Sequence, residues 1–483
     1  MNVAEWKKAP DHPVKVIQFG EGNFLRGFVD WMIHKMNEQN LFNGSVAVVQ
    51  PLAKGLLPIL ESQNYTYTHY LKGIKNQEPV IEYYKNTALS VGINPYEDFE
   101  SYLSLAHIET ASIIVSNTTE AGIVFDSKDQ LDMEASVTYP GKLTRLMYER
   151  YEAFKGDPDK GYIVLPCELI DNNADRLKEA VMAYIDLWNL GETFKTWVEK
   201  SNQFCNTLVD RIVPGYPKEN IKTIWEELGY EDQLVVESEQ FNLWVIQGND
   251  KVQQAFPADE AGCQVLFVDD VTPYKVRKVR ILNGAHTTLV PVAYLYGIET
   301  VLESVEDPQI NQFLMKAIFD EIIPTLTLSK EALEIYAAEV ILRFKNPFVK
   351  HYLMSISLNS MSKYQTRVLP SLLAYFDQNS KLPKRLVAAL ASYMVFYRGE
   401  YAGKKIAIVD NEDILKLYKD AWKQYDGSKT SLVDVVEAVL GYEPNWKGNL
   451  NHIPGLRDQV VNYVSIILDE GMENLIHAVE DED

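Results

Sequence analysis

Between residues 14 and 51 the chain reads strand, glycine turn, helix, strand, and few folds can begin that way. "VKVIQFG" (14–20) is a β-branched and aromatic run ending in glycine. In "EGNFLRGFVDWMIHKMNEQN", which follows, Phe24, Phe28, Trp31, Met32 and Met36 recur at helical spacing. "GSVAVVQP" (44–51) then supplies a short apolar run closed by Gln50 and Pro51. Parallel strands joined through a helix make a right-handed crossover, so this order predicts a βαβ unit. Further strands at "ASIIVS" (111–116) and "GYIVLPC" (161–167) each lead into polar residues and then a helical pattern. Such alternation predicts an α/β fold with a doubly wound parallel sheet, and ligands at the carboxyl ends of its strands.

Past Pro273 the pattern changes. Helical periodicities run to the end, punctuated by Pro308, Pro324, Pro347, Pro370, Pro383 and Pro454. A chain of 483 residues also exceeds one ordinary core. Two domains are therefore expected, with a boundary near 270–280. Residues 1–272 would form a Rossmann-like dinucleotide-binding domain, and 273–483 a mostly α-helical domain carrying substrate and catalytic residues. The formal charge of -22 argues against nucleic acid or an anionic membrane as partner. It also makes an anionic small-molecule substrate depend on a local basic pocket.

No apolar run approaches the roughly eighteen residues of a membrane span. "LVAALASYMVFY", which starts at Leu386 and is flanked by Lys384, Arg385 and Arg398, is expected to be a buried helix. The opening "MNVAEWKKAP" has no apolar signal core, so a cytoplasmic location is expected. Cys167, Cys205 and Cys263 are too widely spaced for a disulfide framework or zinc knuckle. The histidines include no His-x-x-x-His pair, and no metal is expected.

Gly20-x-Gly22 lies directly between strand and helix. Paired glycines let backbone approach a pyrophosphate, whose charge a helix N-terminus favours. In the fuller Gly-x-Gly-x-x-Gly pattern the third glycine would fall at Leu25; here the next is Gly27. The candidate cofactor turn is Ile17, Gln18, Phe19, Gly20, Glu21, Gly22, Asn23, Phe24, Leu25, Arg26 and Gly27, with an ordinary tight turn as the bland alternative. The second strand ends at Gln50, where an acid ordinarily holds the ribose 2′-hydroxyl of NAD. Glutamine can still hydrogen-bond it, whereas NADP calls for an arginine and the nearest cation is Lys54. NAD is therefore the expected cofactor. Thr118 and Glu120, after the strand at 111–116, are further candidate contacts.

"PCELIDNNAD" (166–175) places Glu168, Asn172 and Asn173 at another strand end, although such residues also cap helices. The most unusual stretch is "YKVRKVRILNGAHTTLVPVAYLYG" (274–297). It carries an asparagine and a histidine inside an apolar run, preceded by Lys275, Arg277, Lys278 and Arg280. Buried polar groups cost free energy unless they find partners. On a helix over 278–290, Asn283 and His286 are three apart and share a face. Lys278 is five residues before Asn283, about 140° round an α-helix. Its long arm or an irregular first turn must bring it to the same point. Arg280 fits the face better, so spacing does not select between them, and the cations could equally form a solvated helix face.

The set "QFGEGNFLRGFVDW", "SNTTEAGI", "PCELIDNN", "FCNTLVDRIVPGYP", "VDDVTPYKVRKVRILNGAHT" and "RFKNPFVKH" resembles the polyol-specific long-chain dehydrogenases, the mannitol dehydrogenase family. The wording is closest to its hexuronate branch. The family's Lys-x-x-x-x-Asn-x-x-His signature falls on Lys278, Asn283 and His286. The resemblance implies that Lys278 is the catalytic acid/base, working without zinc. Asn283 would belong to the oxyanion site and His286 would position substrate or lysine. Where the family has Cys-Asp-Asn-Ile-x-x-Asn, Leu169 stands at the first asparagine and Asn173 at the second, so Asn173 is the expected oxyanion partner. A family Ser-x-Lys element falls on "MSK", making Lys363 a substrate contact. Arg367, one turn on, is a candidate carboxylate ligand or a surface ion pair, and Ser355 replaces an arginine of the polyol enzymes. The implied activity is NAD-dependent interconversion of D-tagaturonate and D-altronate in hexuronate catabolism. Fructuronate or a neutral polyol as substrate is the alternative. A dinucleotide sensor without catalysis is another, disfavoured by the intact Lys278, Asn283 and His286.

Overall fold

The computed structural model describes residue 3 and residues 11–119, 121–133 and 135–481. The chain divides into two compact units, Met1–Val271 and Thr272–Asp483.

In the first unit six strands form a parallel sheet. Their order is Leu89–Ile93, Ser45–Val49, Val14–Phe19, Ile113–Ser116, Ile163–Pro166, Gln203–Phe204. The chain winds outward on one side of Val14–Phe19 and then on the other, which is the doubly wound pattern. Successive strand side chains point to opposite faces. Val16, Val46, Val48, Ile113 and Val115 therefore pack with Phe28 and Met32, while Ile17, Phe19, Ala47, Val49 and Ile114 pack with Tyr102, Tyr139 and Leu143. Burying a large aliphatic or aromatic side chain contributes about 1.5–3 kcal/mol, and here both faces of the sheet are covered.

Register then fixes where the strands stop. Gly20 N–H donates to Val49 O, Gln50 N–H to Ile93 O, Asn117 N–H to Phe19 O and Cys167 N–H to Ser116 O. Gly20, Gln50, Asn117 and Cys167 thus line one carboxyl edge. The expected single helix after Gly22 is broken into Asn23–Arg26 and Val29–Glu38. The buried Arg26 guanidinium turns back to Glu21 O, Leu234 O and Asn23 Oδ1. Gly27 supplies a close approach, since a Cβ there would lie 3.0 Å from Val213 Cγ1.

Two smaller sheets complete the unit. One joins Val236–Glu239 to the hairpin Tyr67–Lys75 and Glu78–Asn86; the other joins Val265–Val268, Leu243–Gln247 and Thr207–Asp210.

Among the described residues, the regular elements of the second unit are helices apart from the short hairpin Glu400–Tyr401 and Lys404–Lys405. The helix Lys384–Phe396 is buried at every position from Arg385 onward. It packs against Gly284–Tyr296 and Leu456–Asp469. Pro291 sits inside Gly284–Tyr296 and has no N–H for the carbonyl four residues back. That carbonyl, Thr287 O, instead accepts from Tyr393 Oη at 2.9 Å. Among the described residues no helix is long and apolar enough to cross a membrane.

Candidate active site

The glycine turn closes the carboxyl end of Val14–Phe19, where the strand order reverses. Gly20 has φ +119, a region open to glycine at little cost, and a Cβ there would lie 3.1 Å from Asn117 O. Gly22 has an ordinary φ of -68, but a Cβ built on it would meet nothing within 4 Å. A bare Cα facing open space beside the strand-order reversal fits the pyrophosphate of a dinucleotide.

The other residues of the expected cofactor stretch divide by role. Ile17, Phe19 and Leu25 are core residues, and Gln18 Nε2 donates to Gly20 O and Asp30 Oδ2. Arg26 and Asn23 hold each other beneath the turn, and Gly27 is a packing position. These side chains support the turn from beneath. Phe24 packs on Phe28 with ring centroids 5.1 Å apart. Glu21 is buried beside the turn, and burial pushes its carboxyl up. Gln50 is folded onto its own loop: Nε2 donates to Leu52 O at 2.9 Å and Oε1 accepts from Leu57 N–H at 3.3 Å.

Thr118 belongs to a clamp between strand ends. Its N–H and its hydroxyl both donate to Glu168 Oε1 at 2.9 Å, while Ser116 Oγ donates to Glu168 Oε2. Burial raises the Glu168 carboxyl above its usual range. Glu120 lies outside the described residues.

Asn173 is also committed. Its Nδ2 donates to Pro166 O at 3.0 Å and Glu168 O at 3.1 Å, and lies 3.4 Å from both Thr207 O and Thr207 Oγ1. Its Oδ1 accepts from Ala174 and Thr207 N–H. A carboxamide has two N–H donors, and both are directed at protein acceptors. In this structure Asn173, the expected oxyanion partner, ties a strand end to the helix Asn173–Leu187.

In the second unit the unusual apolar stretch is not one α-helix. Thr272–Arg277 is α-helical, Lys278–Asn283 is a π-helix, and α-geometry resumes at Gly284. In a π-turn residue i pairs with i+5, so i+5 takes the place that i+4 holds on an α-helix. The offset of Lys278 from Asn283 on an α-helix is thereby closed. Both residues are half-buried. The Asn283 backbone carbonyl accepts from Thr287 Oγ1 at 2.9 Å, but its carboxamide makes no hydrogen bond to any described residue. Asn283 thus has the open donor that Asn173 lacks.

His286, one turn on, stacks on Phe344 with centroids 4.3 Å apart and meets His351 edge-on at 5.0 Å. Its Nε2 is sealed from solvent. Burial, followed by the charges of His351, Arg343, Arg367 and Lys363, holds the ring well below the usual imidazole range, so it is neutral. Gly284 lets the helix Ser360–Arg367 come close, since a Cβ there would lie 3.3 Å from Arg367 O. Lys363 Nζ donates to Ile356 O at 2.8 Å. Burial lowers the pKa of both Lys363 and Arg367, with Arg367 adding to the effect on Lys363. Lys363, Arg367, Arg343 and His351 therefore form one basic neighbourhood around His286. Arg343 and His351 lie in "RFKNPFVKH", where nothing in their spacing marked them. Among the described residues no group of three or more His, Cys, Asp or Glu side chains is arranged to hold a metal ion.

Similarity to known proteins covers nearly the whole chain. Residues 14–258 match the mannitol dehydrogenase Rossmann domain, and residues 270–468 match the mannitol dehydrogenase C-terminal domain. Altronate oxidoreductase of Bacillus subtilis (strain 168) is 46% identical over 465 residues, 96% of this chain and 95% of the relative. The altronate oxidoreductase of Phocaeicola vulgatus is 46% identical over 469 residues, 97% of each chain. Among solved structures, substrate-free D-sorbitol dehydrogenase matches with a TM-score of 0.78 at 21% identity, covering 97% of each chain. Pseudomonas fluorescens mannitol 2-dehydrogenase, solved as a ternary complex with NAD and D-mannitol, matches with a TM-score of 0.65 at 19% identity. It covers 98% of this chain and 95% of its own. At these identities the two structures speak for the fold.

Proposed function

The chain belongs to the mannitol dehydrogenase family, oxidoreductases acting on CH–OH groups, and from that premise we propose that it interconverts D-tagaturonate and D-altronate with NAD, in hexuronate catabolism. The nicotinamide, when bound, supplies a hydride for ketone reduction and accepts one in alcohol oxidation. Gly20 and Gly22 offer bare backbone to the cofactor's phosphates.

The second unit handles the oxygen. During reduction, negative charge grows on the carbonyl oxygen as the new C–H bond forms. The uncommitted Asn283 carboxamide donates to that oxygen, an interaction strongest once charge has developed. Lys278, in register with Asn283 through the π-turn, gives the oxygen a proton as its ammonium and takes it back as the amine in the reverse direction. Neutral His286 orients the substrate without competing as a proton donor. Lys363 and Arg367, with Arg343 and His351 nearby, hold the carboxylate, which a polyol lacks.

One observation carries this reading: an open asparagine amide in step with a lysine, beside a cluster of cations. The altronate oxidoreductases at 46% identity support the same substrate class. The test is NADH oxidation with D-tagaturonate, D-fructuronate and D-fructose, by wild type and Lys278→Ala. Tagaturonate should be turned over fastest, and the variant should lose roughly 10²–10⁴-fold in kcat. Equal turnover of fructose would reject the carboxylate reading. A fully active Lys278→Ala would reject lysine as the acid/base.

A further inference from the structure

We propose that Glu21, and not the residue at the end of the second strand, reads the adenosine ribose: its carboxylate accepts the 2′-hydroxyl and repels a 2′-phosphate. This rests on the NAD reading above and adds a specificity-determining residue to it.

The strand Ser45–Val49 ends next to Gln50, the place where a dinucleotide fold ordinarily keeps an acid. Gln50 carries no charge, and each end of its carboxamide already bonds its own loop, at Leu52 O and Leu57 N–H. The neighbouring glycine turn supplies what the strand end lacks. A Cβ on Gly55 would lie 2.0 Å from Glu21 Oε1 and 2.5 Å from Gln50 Oε1. The two oxygens are therefore no farther apart than those two lengths laid end to end. Glu21 thus brings a carboxylate from one strand end to the tip of the next.

Glu21 as a residue is 8% exposed, and Leu56 N–H donates to its Oε1 at 3.2 Å. An ionised carboxylate offers about four acceptor sites, so capacity remains for a sugar hydroxyl. Arg26, the cation that acts on it, spends its guanidinium on Glu21's own carbonyl, Leu234 O and Asn23 Oδ1. The carboxylate charge is therefore not cancelled by a bonded partner. In a poorly solvated position its repulsion of a phosphate is stronger than it would be in water. Lys54, the cation of this loop, is exposed and offers no arginine-like cradle for a phosphate. Gly55 has no side chain to wedge between Glu21 and Gln50, so the loop can close on both.

The test is equilibrium binding of NADH and of NADPH, followed by nucleotide fluorescence, with thermal unfolding as the check on folding. Glu21→Gln keeps an acceptor for Leu56 N–H and removes the charge. It should lower the ratio of the NADPH Kd to the NADH Kd at least tenfold. Moving the charge rather than removing it is the sharper arm. Glu21→Gln combined with Gln50→Glu should restore the wild-type preference, which a merely structural glutamate would not allow. An unchanged ratio in Glu21→Gln, with NADH still bound by wild type, overturns the proposal alone. A wild-type chain that binds neither dinucleotide overturns the NAD reading and this proposal with it.

Discussion

At the scale of single residues, two asparagines with the same chemistry have opposite prospects. Asn173 directs its amide at Pro166 O, Glu168 O and Thr207 and accepts two backbone N–H groups, all while buried. Asn283 directs its amide at no described residue. Asn173→Ala should therefore strand buried carbonyls and cost about 1–3 kcal/mol of stability. Asn283→Ala should leave the melting temperature within about a degree of wild type, because no native bond is lost. It should instead lower kcat on the ketouronate by roughly 10²–10³-fold, the usual cost of an oxyanion donor. Thermal unfolding and steady-state kinetics on the two variants separate these outcomes. A stable Asn173→Ala with collapsed kcat would return the oxyanion role to Asn173. Two sequence motifs assign Asn283 and Asn173 jointly to the oxyanion site; whether an amide is spent depends on carbonyls more than thirty residues away, such as Thr207 O. The same limit hid Glu168 as the partner of Thr118.

Elements were legible where one physical signal dominated. β-Branched runs ending in glycine or polar residues marked Val14–Phe19, Ser45–Val49, Ile113–Ser116 and Ile163–Pro166, and an apolar run marked the buried helix Lys384–Phe396. The hairpin Tyr67–Lys75 and Glu78–Asn86 escaped notice because its turn is Asn76-Gln77, both at positive φ, with no glycine to announce it. The break after Arg26 carries no comparable local signal, since Arg26 bonds Leu234 O and Gly27 packs on Val213, both far along the chain. The π-turn at Lys278–Asn283 was foreshadowed only as a mismatch: the lysine and asparagine could not share a face of an α-helix. The helix that follows tolerates Pro291 because Tyr393 Oη takes the place of the missing N–H at Thr287 O. Tyr393→Phe should therefore cost about 1–3 kcal/mol. Pro291→Ala restores a backbone donor, so the same Tyr393→Phe change should cost less than half as much in that background. A double-mutant cycle by urea denaturation measures the coupling. Strictly additive costs would show that Thr287 O does not depend on the tyrosine.

For the molecule as a whole the governing number is its charge. With 68 acidic side chains against 46 lysines and arginines, the net -22 opposes the approach of any anion. A sugar acid must then be held by cations gathered locally, and the second unit gathers Lys363, Arg367 and Arg343 around the neutral ring of His286. Lys416 on the surface pairs with the nearby carboxylate of Asp420, and such exposed pairs contribute little. Lys363 differs, because its Nζ bonds a backbone carbonyl, Ile356 O, which keeps the ammonium in place without cancelling its charge. Lys363→Met should therefore raise KM for tagaturonate by about tenfold or more, with kcat nearly unchanged, as expected for lost uniform binding. KM for a neutral ketose such as fructose should barely move, since no carboxylate is there to be held. Raising ionic strength should narrow the gap between wild type and variant on tagaturonate, because screening weakens the partly exposed lysine's pull. If the KM values for tagaturonate and fructose rise together, Lys363 binds a feature both sugars share, such as a hydroxyl, and the carboxylate must be held by other cations.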